Sequence, residues 1–323
     1  MIGIRALRVA AKLACVLSVA FSPVPASGAY PDKSVRIIVP SPPGGGNDIM
    51  ARLAGQKLTD AWGKQVVVDN RPGAGGVIAF EMVARAEANG YTLLLGSTNL
   101  TVLPDISKVN YHPIKDFVPV SLMAKSMNIL LVHPSVPVKS AKDLIALAKT
   151  RPGKLNYATS IATSVHLAAE LFKAMAGVNI VMVPYKGMGP ALVDLIAGNV
   201  DISISNPAAS HGYVQAGRLR ALAVTGEKRS ALLPDVPTMA EAAIPGFEAS
   251  TWWGILAPAG TPGAIVTEIN GELARALTQR EVASRIGALG ADLVGGPPER
   301  LAAHLQAEIV KWRKVVRDAN IRL

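Results

Sequence analysis

Cysteine is almost absent from this chain of 323 residues, which contains only Cys15. Cys15 lies in an apolar run near the N-terminus, and we expect it to be removed with a secretory leader. No thiol then remains, which excludes disulfide bonds, thiol catalysis and cysteine-ligated zinc. The fold must therefore rest on a large hydrophobic core, for which the hydrophobic fraction of 50% is sufficient. The residues that remain after the leader are enough for two domains of ordinary size.

The leader is predicted over residues 1–29. Three basic residues and no acid precede an apolar run at 13–21, and small residues follow it, which is the order typical of a cleaved signal peptide. The alternative, a membrane-spanning first helix, is weaker because the run has about half of the roughly 20 residues that a span needs. We expect export, with cleavage between Ala26 and Ala29.

Charged residues (17%) and aromatic residues (5%) are also few, and later apolar runs such as 127–132 are soon interrupted. We therefore expect a soluble protein. The net charge is +10, or +7 without the three basic residues of the leader. Because lysines and arginines are scattered and do not alternate with aromatics, the charge favours mild attraction of anions over nucleic-acid binding. The histidines lack metal-site spacing, so no metal and no cofactor is implied.

Short β-rich runs alternate with helical patterns along the chain, which predicts an α/β fold whose strands are buried and parallel. The predicted strands are 35–39, 66–68, 92–95, 129–132, 155–157, 180–183, 202–204 and 221–224. The predicted helices are 49–62, 77–88, 140–150, 165–176, 190–197 and 298–319. The last of these is expected to pack on the protein, with contact to a membrane partner as the alternative.

A glycine-rich turn, PSPPGGGND at 40–48, leads from the first predicted strand directly into the first helix. Backbone N–H groups approach a ligand closely in such a turn, and the unpaired N–H groups at the helix start favour an anion. In an exported protein this arrangement indicates capture rather than catalysis. We expect Asp48 to be the N-cap of the helix rather than a ligand contact.

Seven blocks of sequence carry a resemblance to a known family. They are PSPPGGGND at 40–48 with Ala51-Arg52, DNRPGAGG at 69–76, NGYTL at 89–93, HLAAE at 166–170, PYKG at 184–187, PDVPT at 234–238 and APAGTP at 257–262. In this order and spacing they resemble the tripartite tricarboxylate transporter receptor family, the Bug-type periplasmic solute-binding proteins. The resemblance covers essentially the whole chain after the leader.

The resemblance implies a two-lobed Venus flytrap of the type II periplasmic binding protein fold. Lobe 1 would comprise residues 30–127 and 252–323, and lobe 2 residues 128–251, with closure around a small carboxylate. The implied protein is a monomeric periplasmic receptor that delivers its ligand to a membrane permease with large and small subunits. Trp252-Trp253 is expected to pack at the return crossing, with a ring over the ligand as the alternative.

In the resembling family two facing loops hold the ligand carboxylate with backbone amides, hydroxyls and water. Matched position by position, the first loop supplies Ser41, Pro42, Gly44, Gly45, Gly46 and Asn47. The second supplies Thr159, Ser160, Thr163, Ser164 and His166. For His166, support of the loop is the alternative to ligation.

Further polar candidates follow predicted strands, because ligands of open α/β sheets bind beyond the carboxyl ends of strands. They are Ser97, Thr98, Asn99, Lys186, Ser205 and Asn206. The alternatives are an ordinary polar turn at 97–99 and a solvated lysine at 186.

The sequence departs from the family pattern in the second loop and at two further positions. The second loop lacks one glycine and has Ala162 in place of another, which predicts a shorter and stiffer loop. Ser41 stands where an aromatic residue is common, and Ser205 precedes Asn206 where an acid is frequent. Without that acid an amino group loses its partner, so a simple carboxylate is favoured over an amino acid.

The sequence leaves two other functions open. An extracytoplasmic sensor or co-receptor for a signalling system is the main alternative to transport. A hydrolase built from Ser160, Ser164 and His166 is a distant third, because the sequence has no G-x-S-x-G elbow. We therefore expect a binding protein and not an enzyme.

Overall fold

The computed structural model describes residues 30–160 and 163–318. The predicted leader, residues 1–29, lies outside the described residues, as do residues 161–162 and 319–323. The chain divides into two units, Met1–Asp32 and Lys33–Leu323, and every contact discussed below lies within the second. None of the helices in the described ranges is long and apolar enough to span a membrane.

Eleven strands and eleven α-helices form within the described residues. The strands are β1 Val35–Val39, β2 Val66–Asn70, β3 Thr92–Ser97, β4 Phe117–Ser126, β5 Ile129–Val132, β6 Asn156–Ser160, β7 Val181–Tyr185, β8 Ile202–Ser205, β9 Arg220–Val224, β10 Thr251–Pro258 and β11 Ala291–Leu293. The helices are α1 Gly46–Trp62, α2 Val77–Ala84, α3 Thr98–Ile106, α4 Ala141–Thr150, α5 Ser164–Ala176, α6 Met188–Ala197, α7 Pro207–Gln215, α8 Met239–Ala242, α9 Gly263–Leu277, α10 Arg280–Ala288 and α11 Pro298–Asp318. The predicted α/β class is confirmed.

The strands form two sheets. The first has the order β11-β4-β10-β3-β1-β2, and the second, built entirely from residues 129–224, has the order β7-β6-β8-β5-β9. β1 pairs in parallel with β2 and β3, and β6 pairs in parallel with β7 and β8. The expectation of parallel pairing throughout is wrong, because β10 is antiparallel to β3 and β4, and β5 is antiparallel to β8 and β9.

Helix α11 closes the first sheet. It buries Leu301, Leu305 and Trp312 at no more than 1% exposure, spaced so that they share one face of the helix. This face packs on α3 and β4. The predicted packing role of the C-terminal helix is therefore met within the described range, which ends at Asp318.

The chain passes between the sheets twice, at residues 127–128 after β4 and at residues 249–250 before β10. Thr225, fully buried, joins the two crossings. Its Oγ1 accepts a hydrogen bond from the Asn128 N–H at 2.8 Å and donates to the Ala249 carbonyl at 2.7 Å. Its own N–H donates to the Asn128 carbonyl, and its carbonyl accepts from the Ala249 N–H, both at 2.9 Å. The predicted lobe boundaries near these crossings stay a prediction.

We predict that Thr225→Val lowers the free energy of unfolding by about 2 kcal/mol. Valine has the same shape but leaves the buried Asn128 N–H without its acceptor, and an unsatisfied buried group costs about 1–3 kcal/mol. Urea unfolding followed by circular dichroism measures the loss. Thr225→Ser keeps the hydroxyl and is the control; an equal loss in both variants would show that packing at this position, and not the hydroxyl, accounts for the effect.

Candidate functional site

Two adjacent cavities open between the loops that follow the strands. The first has a volume of about 390 Å³ and the second of about 510 Å³. They share the lining residues Ser41, Asn47, Ser164 and Thr251. We call the two together the cleft.

The glycine-rich turn forms part of the wall of the second cavity. Gly44 has a φ of +90°, a conformation that favours glycine, and Gly45 is the N-cap of α1. A Cβ atom added at Gly44 or Gly45 would meet no heavy atom within 4 Å, so the turn is open towards the cavity. At Gly46 an added Cβ would lie 3.0 Å from the Trp253 ring. A side chain at position 46 would force the Trp253 ring to shift by a few tenths of an ångström.

Asp48 is not the N-cap, which corrects the sequence-based expectation. It is the third residue of α1, and its Oδ2 accepts hydrogen bonds from the Gly44 N–H and from Arg52 Nε, both at 2.9 Å. A carboxylate in the first turn of a helix can reach back to the residues before the helix. Asp48 therefore holds the glycine-rich turn against the start of α1. Asp48 does not line the cleft.

The same contacts set the acidity of Asp48. Burial raises the pKa of this carboxyl, but the hydrogen bonds from Arg52, the Gly44 N–H and Asn70 outweigh it, and the net shift is downward from 3.8. Asp48 is therefore ionised at neutral pH.

The second loop ends in the start of α5. Thr163 is the N-cap, and its hydroxyl donates to the Ser160 carbonyl at 2.6 Å. Ser164 Oγ accepts a hydrogen bond from Thr251 Oγ1 at 2.7 Å, which joins this loop to the return crossing. Residues 161–162 lie outside the described ranges, so the shortened loop stays a prediction.

Four helices begin at the cleft. The N-caps of α1, α3, α5 and α7 are Gly45, Ser97, Thr163 and Asn206, and each lines one of the two cavities. Each helix start carries a partial positive charge of about half an elementary charge. Among the described residues that line the cleft, none has an ionisable side chain. The positive potential of the cleft therefore comes from backbone groups.

Two hydroxyl groups on the cleft wall have unused hydrogen-bonding capacity. Ser41 Oγ and Thr98 Oγ1 are buried and have no partner among the described residues. Buried polar atoms are nearly always paired in folded proteins. Since both residues line the first cavity, their hydroxyls are available to the oxygen atoms of a ligand.

Twelve of the seventeen residues predicted for the site line the cleft. They are Ser41, Pro42, Gly44, Gly45, Gly46, Asn47, Ser97, Thr98, Asn99, Thr163, Ser164 and Asn206. The structure does not bring the other five to the cavity walls; these are Thr159, Ser160, His166, Lys186 and Ser205.

These five residues lie in different environments. Thr159 and Ser205 are buried within the second sheet, and Lys186 is exposed. His166 is buried in the first turn of α5, and burial lowers the pKa of its ring below 6.5. Ser160 supports the second loop through its carbonyl.

Several lining residues lie outside the set predicted for the site. Thr251 reaches the cleft from β10, as does Trp253, for which a place over the ligand was only the alternative to packing; Trp253 Nε1 donates to Asn47 Oδ1 at 2.8 Å. Ser126 and Asn128 reach it from the outgoing crossing. A ring of Pro72, Gly73, Gly75 and Gly76 lines the first cavity. The signal for this ring was the DNRPGAGG block, which was noticed but not assigned to the site.

Comparisons with known proteins support one family. A model described as the tripartite tricarboxylate transporter family receptor matches residues 50–321. The chain is 40% identical over 298 residues to the protein BugT of Bordetella pertussis, covering 91% of each chain.

Solved structures give the same result. The structure of R. palustris Rpa4515 with adipate is 40% identical in sequence and has a TM-score of 0.79. The match covers 91% of this chain and 99% of the other. Another, MatC from Rhodopseudomonas palustris with bound malate, is 32% identical, with a TM-score of 0.77 over 89% and 100%. A third, 32% identical over 91% of this chain with a TM-score of 0.77, is the periplasmic binding protein BugD. The expected periplasmic binding protein fold is confirmed.

We predict that Asp48→Asn lowers the free energy of unfolding by about 1 kcal/mol near pH 7, since Arg52 is half-exposed and contributes little. A carboxyl whose pKa is depressed by folding stabilises the protein above its unfolded pKa, and the effect is lost as the pH falls through the folded pKa. The difference between wild type and variant should therefore begin to shrink as the pH approaches 3.8 and should be lost as the pH falls through the lower pKa of the folded protein.

Urea unfolding of both proteins at a series of pH values measures this difference. A difference that stays constant from pH 7 to below pH 3.8 would show that the carboxylate charge does not stabilise the turn.

Proposed function

This chain belongs to the tripartite tricarboxylate transporter receptor family, and on that premise we propose that it is a periplasmic receptor that captures a small carboxylate in the cleft. The observation that carries the proposal is the convergence of four helix starts on two cavities without an ionisable side chain on their described walls. Helix starts bind carboxylates well because their N–H groups are unpaired and the dipole favours negative charge.

The absence of a cation from the described walls suits reversible capture. Removing an unpaired lysine or arginine from water costs much free energy. Removing backbone N–H groups and hydroxyls from water costs less. Ser41 and Thr98 offer unused hydroxyls, and the open faces of Gly44 and Gly45 leave space for a carboxylate. The ligand is therefore bound by many weak dipoles rather than by one ion pair.

The same lining argues for the ligand class. An α-amino acid brings an ammonium group, which needs a carboxylate partner, and the described walls supply none. We therefore propose a simple mono- or dicarboxylate rather than an amino acid. The solved relatives with adipate and malate, both carboxylates without an amino group, support this choice.

We further propose that residues 30–127 with 252–323 and residues 128–251 form two lobes that close on the ligand. The sheets and the two crossings support this division. A ligand that touches both lobes binds the closed form preferentially and shifts the population towards it. The closed receptor then delivers its ligand to a membrane permease with large and small subunits, and residues 1–29 direct export to the periplasm.

A thermal-shift screen tests the proposed ligand class. Purified mature protein is heated with a panel of mono-, di- and tricarboxylates, amino acids and aromatic acids. A ligand at 100 times its dissociation constant adds about 2.7 kcal/mol of stability, which is easily seen as a higher Tm. We expect simple carboxylates to raise the Tm and amino acids not to. A shift with amino acids alone would contradict the proposed class, and calorimetry gives the Kd of each hit.

We predict that Gly45→Asp weakens carboxylate binding by roughly 1000-fold. Aspartate is a good N-cap, so α1 is retained, while its charge repels the ligand carboxylate; two like charges about 4 Å apart cost about 4 kcal/mol near a protein surface. Gly45→Asn has nearly the same shape and capping ability without the charge, and is the matched control. Calorimetry with the best carboxylate from the screen measures both; equal affinities of the two variants would place the carboxylate away from Gly45.

A further inference from the structure

A third cavity lies next to the crossings and is lined by different residues. Its volume is about 400 Å³, close to that of each cleft cavity. The residues that line it are Leu122, Lys125, Met127, Gly226, Glu227, Lys228, Glu248, Ser250, Asp292, Val294, Arg300 and His304. None of them lines the cleft, and we call this space the rear cavity.

Along the outgoing crossing, successive residues alternate between the two spaces. Lys125 and Met127 line the rear cavity, whereas Ser126 and Asn128 line the second cavity of the cleft. Successive side chains of an extended chain point to opposite faces, which explains the alternation. The outgoing crossing is therefore a wall with the cleft on one face and the rear cavity on the other.

The return crossing follows the same rule. Ser250 lines the rear cavity and the next residue, Thr251, lines the cleft. The two crossings are adjacent, since Thr251 is paired with Ser126 in the sheet and Thr225 joins them through its hydroxyl. Together they form one partition between the two spaces.

Both sheets contribute walls to the rear cavity, as they do to the cleft. Gly226 to Lys228 follow β9 of the second sheet, while Asp292 and Val294 lie at β11 of the first. On the first-sheet side, Lys311 of α11 holds Glu248 of the return crossing at 2.6 Å. If the sheets rotate about the partition so that the cleft narrows, the walls of the rear cavity must move apart.

We propose that the rear cavity sets the balance between the open and closed forms, so that the size of the side chain at position 250, which faces away from the cleft, controls ligand binding. This inference rests on the receptor function proposed above. A side chain that fills the rear cavity acts as a wedge: it opposes the open form, in which the rear walls are closest, and so favours closure. The apparent Kd equals the Kd of the closed form divided by the fraction of closed protein, so closure tightens binding without a new ligand contact.

Ser250→Trp is the direct test. Ser250 is 9% exposed, its N–H donates to Glu248 Oε1 at 3.0 Å, and its side chain also forms a hydrogen bond with the Glu248 carboxylate. An indole fits within about 400 Å³. We expect the Kd for the best carboxylate to fall about tenfold, mainly through slower dissociation, and the ligand-free radius of gyration from small-angle X-ray scattering to fall towards the ligand-bound value of wild type.

Ser250→Ala is the matched control, because it removes the hydroxyl and its bond to Glu248 without adding volume; the wedge requires that it neither tightens binding nor compacts the ligand-free protein. A folded Ser250→Trp protein with unchanged or weaker binding and an unchanged radius would overturn the proposal. If Ser250→Trp does not fold by circular dichroism, Lys228→Trp places the ring on the exposed rim of the same cavity and is judged by the same two results.

The radius of gyration separates this inference from the receptor function. If no carboxylate binds to wild type, the receptor function fails, but a compacted ligand-free Ser250→Trp protein still supports the wedge. If wild type binds and the variant neither compacts nor binds more tightly, only the wedge fails.

Discussion

One buried hydroxyl determines how the two halves of the molecule meet. Thr225 lies where both crossings pass, and its side chain and backbone bond Asn128 on one and Ala249 on the other. The loops that line the cleft come from both sheets, so their separation depends on this junction. Each crossing is also a wall whose side chains face the cleft and the rear cavity alternately. A small change in the position of the crossings therefore alters both spaces.

The walls of the cleft show how backbone charge replaces side-chain charge. The starts of α1, α3, α5 and α7 all border it, and each is capped by a residue with a short side chain or none. Each cap occupies at most one helix N–H group: the side chains of Thr163 and Asn206 each accept a bond from their own helix, whereas Gly45 and Ser97 make no such bond. The tight approach of Gly46 to Trp253, and the bond from that ring to Asn47, hold the first of these helix starts against β10.

Helices and strands that are determined by a few neighbouring residues could be predicted from the sequence. All eight expected strands are present, and the glycine turn precedes α1, because a strand followed by glycines and an amphipathic run is read within a few residues. β4 and β10 were missed because both are buried on most positions, contain proline or glycine, and pair with a shifted register, so they show no alternation. Helix α3 was missed because Pro104 lies inside it. Thr251 was not predicted for the site, and Trp253 only as an alternative, because the antiparallel pairing of β10 brings both residues there.

A cleft without titratable walls also has a physiological consequence. Periplasmic receptors are exposed to the acidity outside the cell, and a lysine, histidine or aspartate beside the ligand would make capture depend on that acidity. Burial lowers the pKa of His166, which does not line the cleft, and the dipoles of the helix starts have no proton to lose. The pH dependence of capture then follows the protonation of the ligand's own carboxyl groups, and the cleft walls add none.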